Sequence, residues 1–273
     1  GIFEKHQFQL LEDLADGLVD QILDGYNCIN LLKAGIRFAD KINAVSPTYA
    51  EELLTRLGSH GLCDYFQQRS SDLVGILNGC EYSDWDPATD RFIPANYSSS
   101  DLSGKSVCRQ ALQVKTDLAQ LDVPIFGMVC RLTEQKGFYL LLPALEQFLR
   151  HRVQVIIVGT GDSGIVAELE ALQQKWPDKL RFIHAYSNEL AHLVEAGADF
   201  FLMPSLFEPC GLNQMYSLAY GTLPIVRGVG GLKDTVNDYD EQPEQATGHI
   251  FYDPEPADLL NILRRALLLY LEH

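Results

Sequence analysis

From residue 123 onward, short apolar runs alternate with stretches of helical period. Residues 123–129 (Val-Pro-Ile-Phe-Gly-Met-Val) read as a buried strand. Leu141, Leu145 and Phe148 then fall on one face of a helix over 138–150. The alternation continues with a strand at 153–158, a helix at 165–176, a strand at 180–184 and a helix at 189–196. A strand at 200–203, a helix at 211–220 and a strand at 223–226 follow, and Leu259, Leu263, Ala266 and Tyr270 mark a last amphipathic helix. Strands that are apolar on both faces and alternate with helices predict a parallel sheet covered on both sides. Right-handed crossovers make that a doubly wound, Rossmann-like domain.

The first part is less regular. The pattern predicts a helix over 28–39, a strand over 41–45 and a helix over 48–57, started by Ser46 and Pro47. A further strand at 73–77 closes at Asn78-Gly79. Residues 84–103 are rich in Pro, Asn, Ser and Asp and read as a long connection. The resulting division is residues 1–94 as one unit, 95–121 as a linker with a connecting helix, and 122–270 as the Rossmann-like domain. Too few strands precede residue 94 for a doubly wound sheet, so the reading is a piece of a longer chain. Leu271, Glu272 and His273 look like a tag junction and are set aside.

Composition narrows the partners. The 273 residues carry 21 Lys+Arg against 37 Asp+Glu, a net charge of −16. Nucleic acid and anionic membranes both attract basic surfaces, so neither is expected as a partner. Hydrophobic residues at 47% suit an ordinary globular chain, and no apolar run reaches the roughly 18 residues of a membrane span. The start, Gly1-Ile2-Phe3-Glu4-Lys5-His6, is neither a signal peptide nor an initiating Met. The six cysteines form no C-x-x-C pair and no zinc-like set with histidine, so reduced thiols in a cytoplasmic protein and no metal are expected.

Four strand-to-helix junctions carry candidate chemistry. Gly159-Thr160-Gly161-Asp162-Ser163-Gly164 fits G-x-G-x-x-G. The acid that a dinucleotide site wants about 20 residues on is absent, since that stretch reads His184-Ala185-Tyr186. A tight turn of any α/β fold explains the glycines equally. Arg131 and Lys136 lie in the loop after the first strand of the regular domain, where two cations could hold a diphosphate or simply form a solvated pair. Glu208 precedes a helix, so it could serve as a cap or hold sugar hydroxyls. Cys210 beside it has no His placed to activate it, and a small buried side chain is the simpler reading. Gly228-Val229-Gly230-Gly231-Leu232 could form a phosphate nest or a plain turn.

Taken together, these stretches resemble bacterial glycogen synthases and plant starch synthases. The resemblance rests on Ala44-Val45-Ser46-Pro47-Thr48-Tyr49-Ala50 and on Gly75-Ile76-Leu77-Asn78-Gly79 with Trp85, Pro87, Thr89 and Asp90. It rests equally on the Arg131 to Gly137 loop, on Phe207-Glu208-Pro209-Cys210-Gly211-Leu212 and on Tyr220-Gly221-Thr222-Leu223-Pro224-Ile225-Val226-Arg227. Gly230-Gly231-Leu232 with Asp234-Thr235-Val236, and Thr247-Gly248 with Phe251, complete it. The resemblance implies a GT-B fold and transfer of glucose from ADP-glucose to the non-reducing 4-hydroxyl of an α-1,4-glucan, with retention. It implies no metal and no other cofactor.

Residue by residue, the resemblance implies that Arg131, Lys136 and Glu208 are catalytic, the first two on the diphosphate and the third at the donor glucose. It places Gly230, Gly231 and Leu232 on phosphate, Tyr186 on adenine, and Gly161, Asp162 and Ser205 on the nucleotide wall. Cys210, Gly211 and Leu212 would line the substrate. Gly228-Val229 departs from the family's Arg-Thr, and Cys130 stands where Ser is usual. The family's upstream Lys-x-Gly-Gly-Leu loop, its active-site His and its last helices fall outside this chain, so the piece alone is expected to be inactive. Other retaining GT-B enzymes usually show Glu-x7-Glu, whereas here the second position is Tyr216. A non-catalytic nucleotide or glucan-binding module is the alternative from another class, and self-association through an uncovered sheet edge stays open.

Overall fold

The computed structural model describes residues 2–4, 23–24 and 28–272. Gly1, Lys5, His6 and His273, on which terminal readings rest, lie outside the described residues. The chain separates into two compact units, residues 1–77 and 78–273.

In the first unit, β1 (Ile2–Glu4), β2 (Leu23–Asp24) and β3 (Cys28–Asn30) form an antiparallel sheet in the order β1-β3-β2. The helix expected over 28–39 therefore begins later, at Leu31–Phe38. Asn30 is the reason: its side-chain oxygen accepts from the Leu32 and Lys33 amides at 3.1 and 3.2 Å, which caps the helix and ends the strand. β4 (Ile42–Ala44) pairs in parallel with β5 (Leu73–Gly75). Ser46 Oγ accepts from the Tyr49 amide at 3.1 Å and Pro47 occupies the first turn, as the sequence indicates. That helix stops at Glu52 rather than 57. A further helix, Cys63–Gln68, carries too short a pattern to announce itself. Ile36, Ala44, Leu53, Leu62 and Phe66 form the core of this unit.

The second unit is built on six parallel strands: β6 (Ile125–Val129), β7 (Gln154–Val158), β8 (Leu180–Ile183), β9 (Phe200–Met203), β10 (Leu223–Arg227) and β11 (His249–Phe251). Their order is β11-β10-β9-β6-β7-β8. β11 is the one strand the pattern did not announce, being three buried residues. Phe126, Leu141, Phe148, Val155, Ile157 and Leu263 fill one face of the sheet, while Ile125, Ile156, Val194, Phe201 and Val226 fill the other. Burying side chains of this size contributes about 1.5–3 kcal/mol each.

Residues 78–98, largely irregular, belong to this unit. Tyr97 and Ile93 are buried in its core, and Asp90 Oδ2 accepts from Tyr220 Oη at 2.6 Å and meets His192 Nδ1 at 2.9 Å. Trp85 stacks between His192 and Tyr216, with centroids 3.7 and 4.1 Å away. Tyr216 thus has a packing role where other enzymes carry a second Glu. His192 is thus held in the core by Asp90 and Trp85. Helix Pro256–Glu272 closes the unit, and Leu271 and Glu272 continue it. No described helix is long and apolar enough to cross a membrane.

Under helix Asn188–Gly197 lies a polar interior. Lys105 Nζ donates to Ala196 O and Tyr220 O at 3.1 Å and to Thr222 Oγ1 at 2.7 Å. The two carbonyls are at helix C-terminal ends, where a cation is favoured. Glu195 lies close by, its carboxylate accepting from Ser217 Oγ at 2.7 Å. Burial holds the Lys105 ammonium down to about 8 and pushes the Glu195 carboxyl up to about 8, its Ser217 bond and the Lys105 charge opposing the latter. Between about pH 4.5 and about pH 8 the folded chain therefore keeps a proton on Glu195 that the unfolded chain has lost. Stability from this group falls as pH rises through that window. Glu195→Gln should remove this slope: its melting temperature, compared with the wild type by circular dichroism, should gain on the wild type from about pH 5 to about pH 8. An unchanged gap would show that Glu195 is already ionised in the fold.

Candidate active site

β6 is central. The next two strands, β7 and β8, lie on one side of it, and the chain then returns to place β9 on the other. The strand order therefore reverses between β6 and β9. In open α/β sheets, ligands bind outside the carboxyl ends of the strands at such a switch point. The two loops leaving those ends are 130–137 and 204–212, which hold Arg131, Lys136, Ser205, Glu208 and Cys210.

The loops are fastened to each other. Gly137 has φ +75°, and a Cβ there would sit 1.9 Å from Pro204 O, so only glycine lets the first loop lie against the second. Leu206 N donates to Gln135 O at 2.8 Å, and Gln135 Nε2 donates to Phe207 O at 2.9 Å. Arg227 braces the second loop from β10, donating to Ser205 O and Leu206 O at 3.1 and 2.7 Å. On this frame Lys136 Nζ donates to Glu208 Oε2 at 2.5 Å, and Ser205 Oγ donates to the same oxygen at 3.1 Å. Ser205 and Glu208 are buried, at 1% and 8% exposure, so solvent screens the contact weakly.

Two cavities open here. One, of about 190 Å³, is lined by Arg131, Lys136, Ser205, Glu208, Gly211 and Leu212. Six of the residues singled out from the sequence thus share one wall. The other, of about 250 Å³, is lined by Thr160, Tyr186, Asn188, Glu195 and Trp85. Cys130, Arg131 and Asn213 border both, so the two adjoin. Tyr186 stands 91% exposed at the mouth of the second. A larger cavity of about 980 Å³ lies at the other end of the sheet, by Val123, Leu223 and His249. It is away from the switch point and from the clustered charges, so the smaller pair is the better candidate.

Not every expected contact is made in the way the sequence suggests. Asp162 caps helix Ser163–Lys175, accepting from the Gly164 and Ile165 amides at 2.8 and 3.1 Å. Its carboxylate occupies the N-terminus at which a dinucleotide's phosphates would sit, which counts against that reading. Gly161 and Asp162 brace the Arg131 loop instead: Asp162 N donates to Leu132 O at 2.8 Å and Leu132 N to Thr160 O at 2.9 Å. Gly231 N donates to Glu208 O, and Leu232 N to Val229 O, both at 3.0 Å. These two N–H groups therefore brace backbone in this structure, and Arg131 and Lys136 are the groups that face the cavity. Cys210 is buried, and desolvation raises its thiol, so it is no activated nucleophile. Val229 is packed in the core, which explains an apolar residue at that departure from the family pattern.

Gln135, Asn213, Gln214 and Arg227 were not singled out from the sequence as site residues. Gln135 and Arg227 sit inside motifs and are within reach, but Asn213 and Gln214 act through contacts 84 and 21 residues away that no local pattern encodes. Among the described residues no cluster of His, Cys, Asp and Glu could hold a metal. All six cysteines are free thiols.

The parallel sheet with a charged cleft at its switch point gives this chain an α/β, GT-B type fold, shared with solved structures. The chain belongs to the glycosyl transferases group 1 family, whose model matches residues 112–272, and residues 1–68 match the starch synthase catalytic domain. A glycogen synthase of Aeromonas hydrophila is 62% identical over 272 residues, covering 100% of this chain and 56% of its own length. One from Vibrio cholerae is 57% identical over 275 residues, covering 100% of this chain and 57% of its own. The chain thus spans a little over half the length of the curated relatives it matches. The catalytic domain of starch synthase IV from Arabidopsis thaliana, solved with ADP and acarbose, superposes with a TM-score of 0.91 at 32% identity, over 100% of this chain and 58% of that one.

Cys130 borders both cavities, and burial pushes its thiol up to about 12, the charges of Lys136, Glu208 and Arg131 being lesser effects. Its thiolate is therefore scarce at any pH below that. We expect Cys130 to resist iodoacetamide at about pH 8 in the folded chain and to react once the chain is unfolded, read by peptide mass spectrometry. Fast labelling in the folded state would contradict the burial.

Proposed function

We propose that this chain is the donor side of a retaining glucosyltransferase that moves glucose from ADP-glucose to the non-reducing 4-hydroxyl of an α-1,4-glucan. The observation that carries the reading is the fastening of Lys136 and Glu208 at the switch point, with Arg131 on the same cavity. It is supported by the glycogen synthase relatives and by the likeness to a starch synthase solved with ADP and acarbose.

In this reading the diphosphate lies against Arg131 and Lys136. Their charges stabilise the negative charge that grows on ADP as the sugar departs, the task a metal performs elsewhere, so no metal is needed. Glu208, held by Lys136 and Ser205, sits on the sugar side, where positive charge develops at the anomeric carbon. Tyr186 offers an exposed ring on which adenine can stack. The tail of an acceptor-side domain is read as ending at residue 77 instead of 94, because residues 78–121 pack into the core of the donor-side unit. The enzyme is read as cytoplasmic, in keeping with its free thiols. Alone, the chain binds nucleotide without turning substrate over.

Calorimetric titration tests this. ADP should bind in preference to UDP and NAD, and Lys136→Ala should weaken ADP at least about tenfold, about 1.4 kcal/mol. Selective NAD binding, or an unchanged Lys136→Ala variant, would overturn the assignment, and glucan synthesis by this chain alone would overturn its inactivity.

A further inference from the structure

Gln214 is fully buried in the first turn of helix Asn213–Ala219. Its Nε2 lies 3.0 Å from Cys210 O, 3.2 Å from Gly211 O and 3.1 Å from Thr235 Oγ1. The Thr235 hydroxyl donates to Gly231 O at 2.6 Å, so its oxygen is left to accept from Gln214. Gly231 N donates in turn to Glu208 O at 3.0 Å. These contacts close a ring that runs from Glu208 through Cys210 and Gly211 to Gln214, then through Thr235 and Gly231 back to Glu208. The two segments it joins are the Glu208 loop, on the sugar side, and the glycine turn after β10, which lines neither cavity. They are already in contact, since a Cβ on Gly231 would meet Cys210 O at 2.2 Å.

The chemistry of this amide is unusual for a purely structural residue. Its NH₂ has two hydrogens and faces three acceptors, while its Oε1 is buried with no partner among the described residues. An apolar side chain of the same shape would avoid that unpaired acceptor but would leave Cys210 O and Gly211 O without this donor. What glutamine supplies is a fixed place for the loop whose Glu208, Gly211 and Leu212 line the cavity.

We infer that Gln214 is a positioning residue which fixes the sugar-side Glu208 loop against the glycine turn after β10, and so determines how much the sugar of a nucleotide diphosphate sugar adds to its binding. The inference rests on the donor-site reading above. Gln214 lines neither cavity, so it acts through Glu208, Cys210 and Gly211 and not by touching the ligand.

The test is a titration of the wild type, Gln214→Met and Thr235→Val with ADP and with ADP-glucose, alongside their melting curves. Thr235→Val breaks the same ring from the other side and keeps the shape. In the wild type ADP-glucose should bind more tightly than ADP. Both variants should stay folded, hold ADP within about threefold of wild type and weaken ADP-glucose by about tenfold to a hundredfold, as for sub-ångström to 1 Å misplacement of a binding group. Equal loss of both ligands together with a lower melting temperature would make Gln214 merely structural. Wild-type affinities in both variants, or no gain from the sugar in the wild type, would likewise overturn the inference while leaving the donor site in place. Failure of the wild type to bind ADP at all would remove the donor-site reading and this inference with it.

Discussion

The contact between Lys136 and Glu208, at 2.5 Å, is the constraint around which the rest of the second unit is arranged. Taking both charges out of water is costly, and a buried pair seldom repays that cost in stability. Here the cost is contained by a third group, Ser205, and by a frame that leaves the pair little freedom. Gly137 lets one loop touch the other, Gln135 stitches them, and Arg227 holds the second from below. A cation and a carboxylate fixed side by side in a water-poor cleft can serve opposite charges that appear together when a phosphate leaves a sugar. This is preorganisation: the reorganisation is completed on folding, before any ligand arrives.

The frame in turn depends on the sheet. Because β9 returns to the side of β6 opposite β7, the two loops start from adjacent strand ends, and no long connection is needed to bring them together. Residues 78–98 brace the helices behind the cleft through Asp90, His192, Tyr220 and the Trp85 stack. Trp85 also borders the cavity beside Tyr186, so the brace and the nucleotide-side wall share a residue.

Much of this was legible in the chain of residues. Strands β6, β7 and β9 are short runs buried on nearly every position, and their length and the turns around them mark them as strands. Arg131, Lys136 and Glu208 were legible because they follow strands directly, and strand ends are where α/β sites lie. What escaped was short or long-range. Cys28–Asn30 merges into the pattern of the following helix because three residues give no period, and only the Asn30 cap marks the break. β11 is equally short. The engagement of the Gly231 amide by Glu208 O depends on how two distant turns meet, as do the bonds of Gln214.

The most direct measurement is a crystal structure of this chain grown with ADP. The diphosphate should lie within hydrogen-bond reach of Arg131 and Lys136, with adenine against Tyr186 and with Glu208 still held by Ser205. A diphosphate seated on the N-terminus of helix Ser163–Lys175 with Asp162 displaced, or in the large cavity beside His249, would contradict the account.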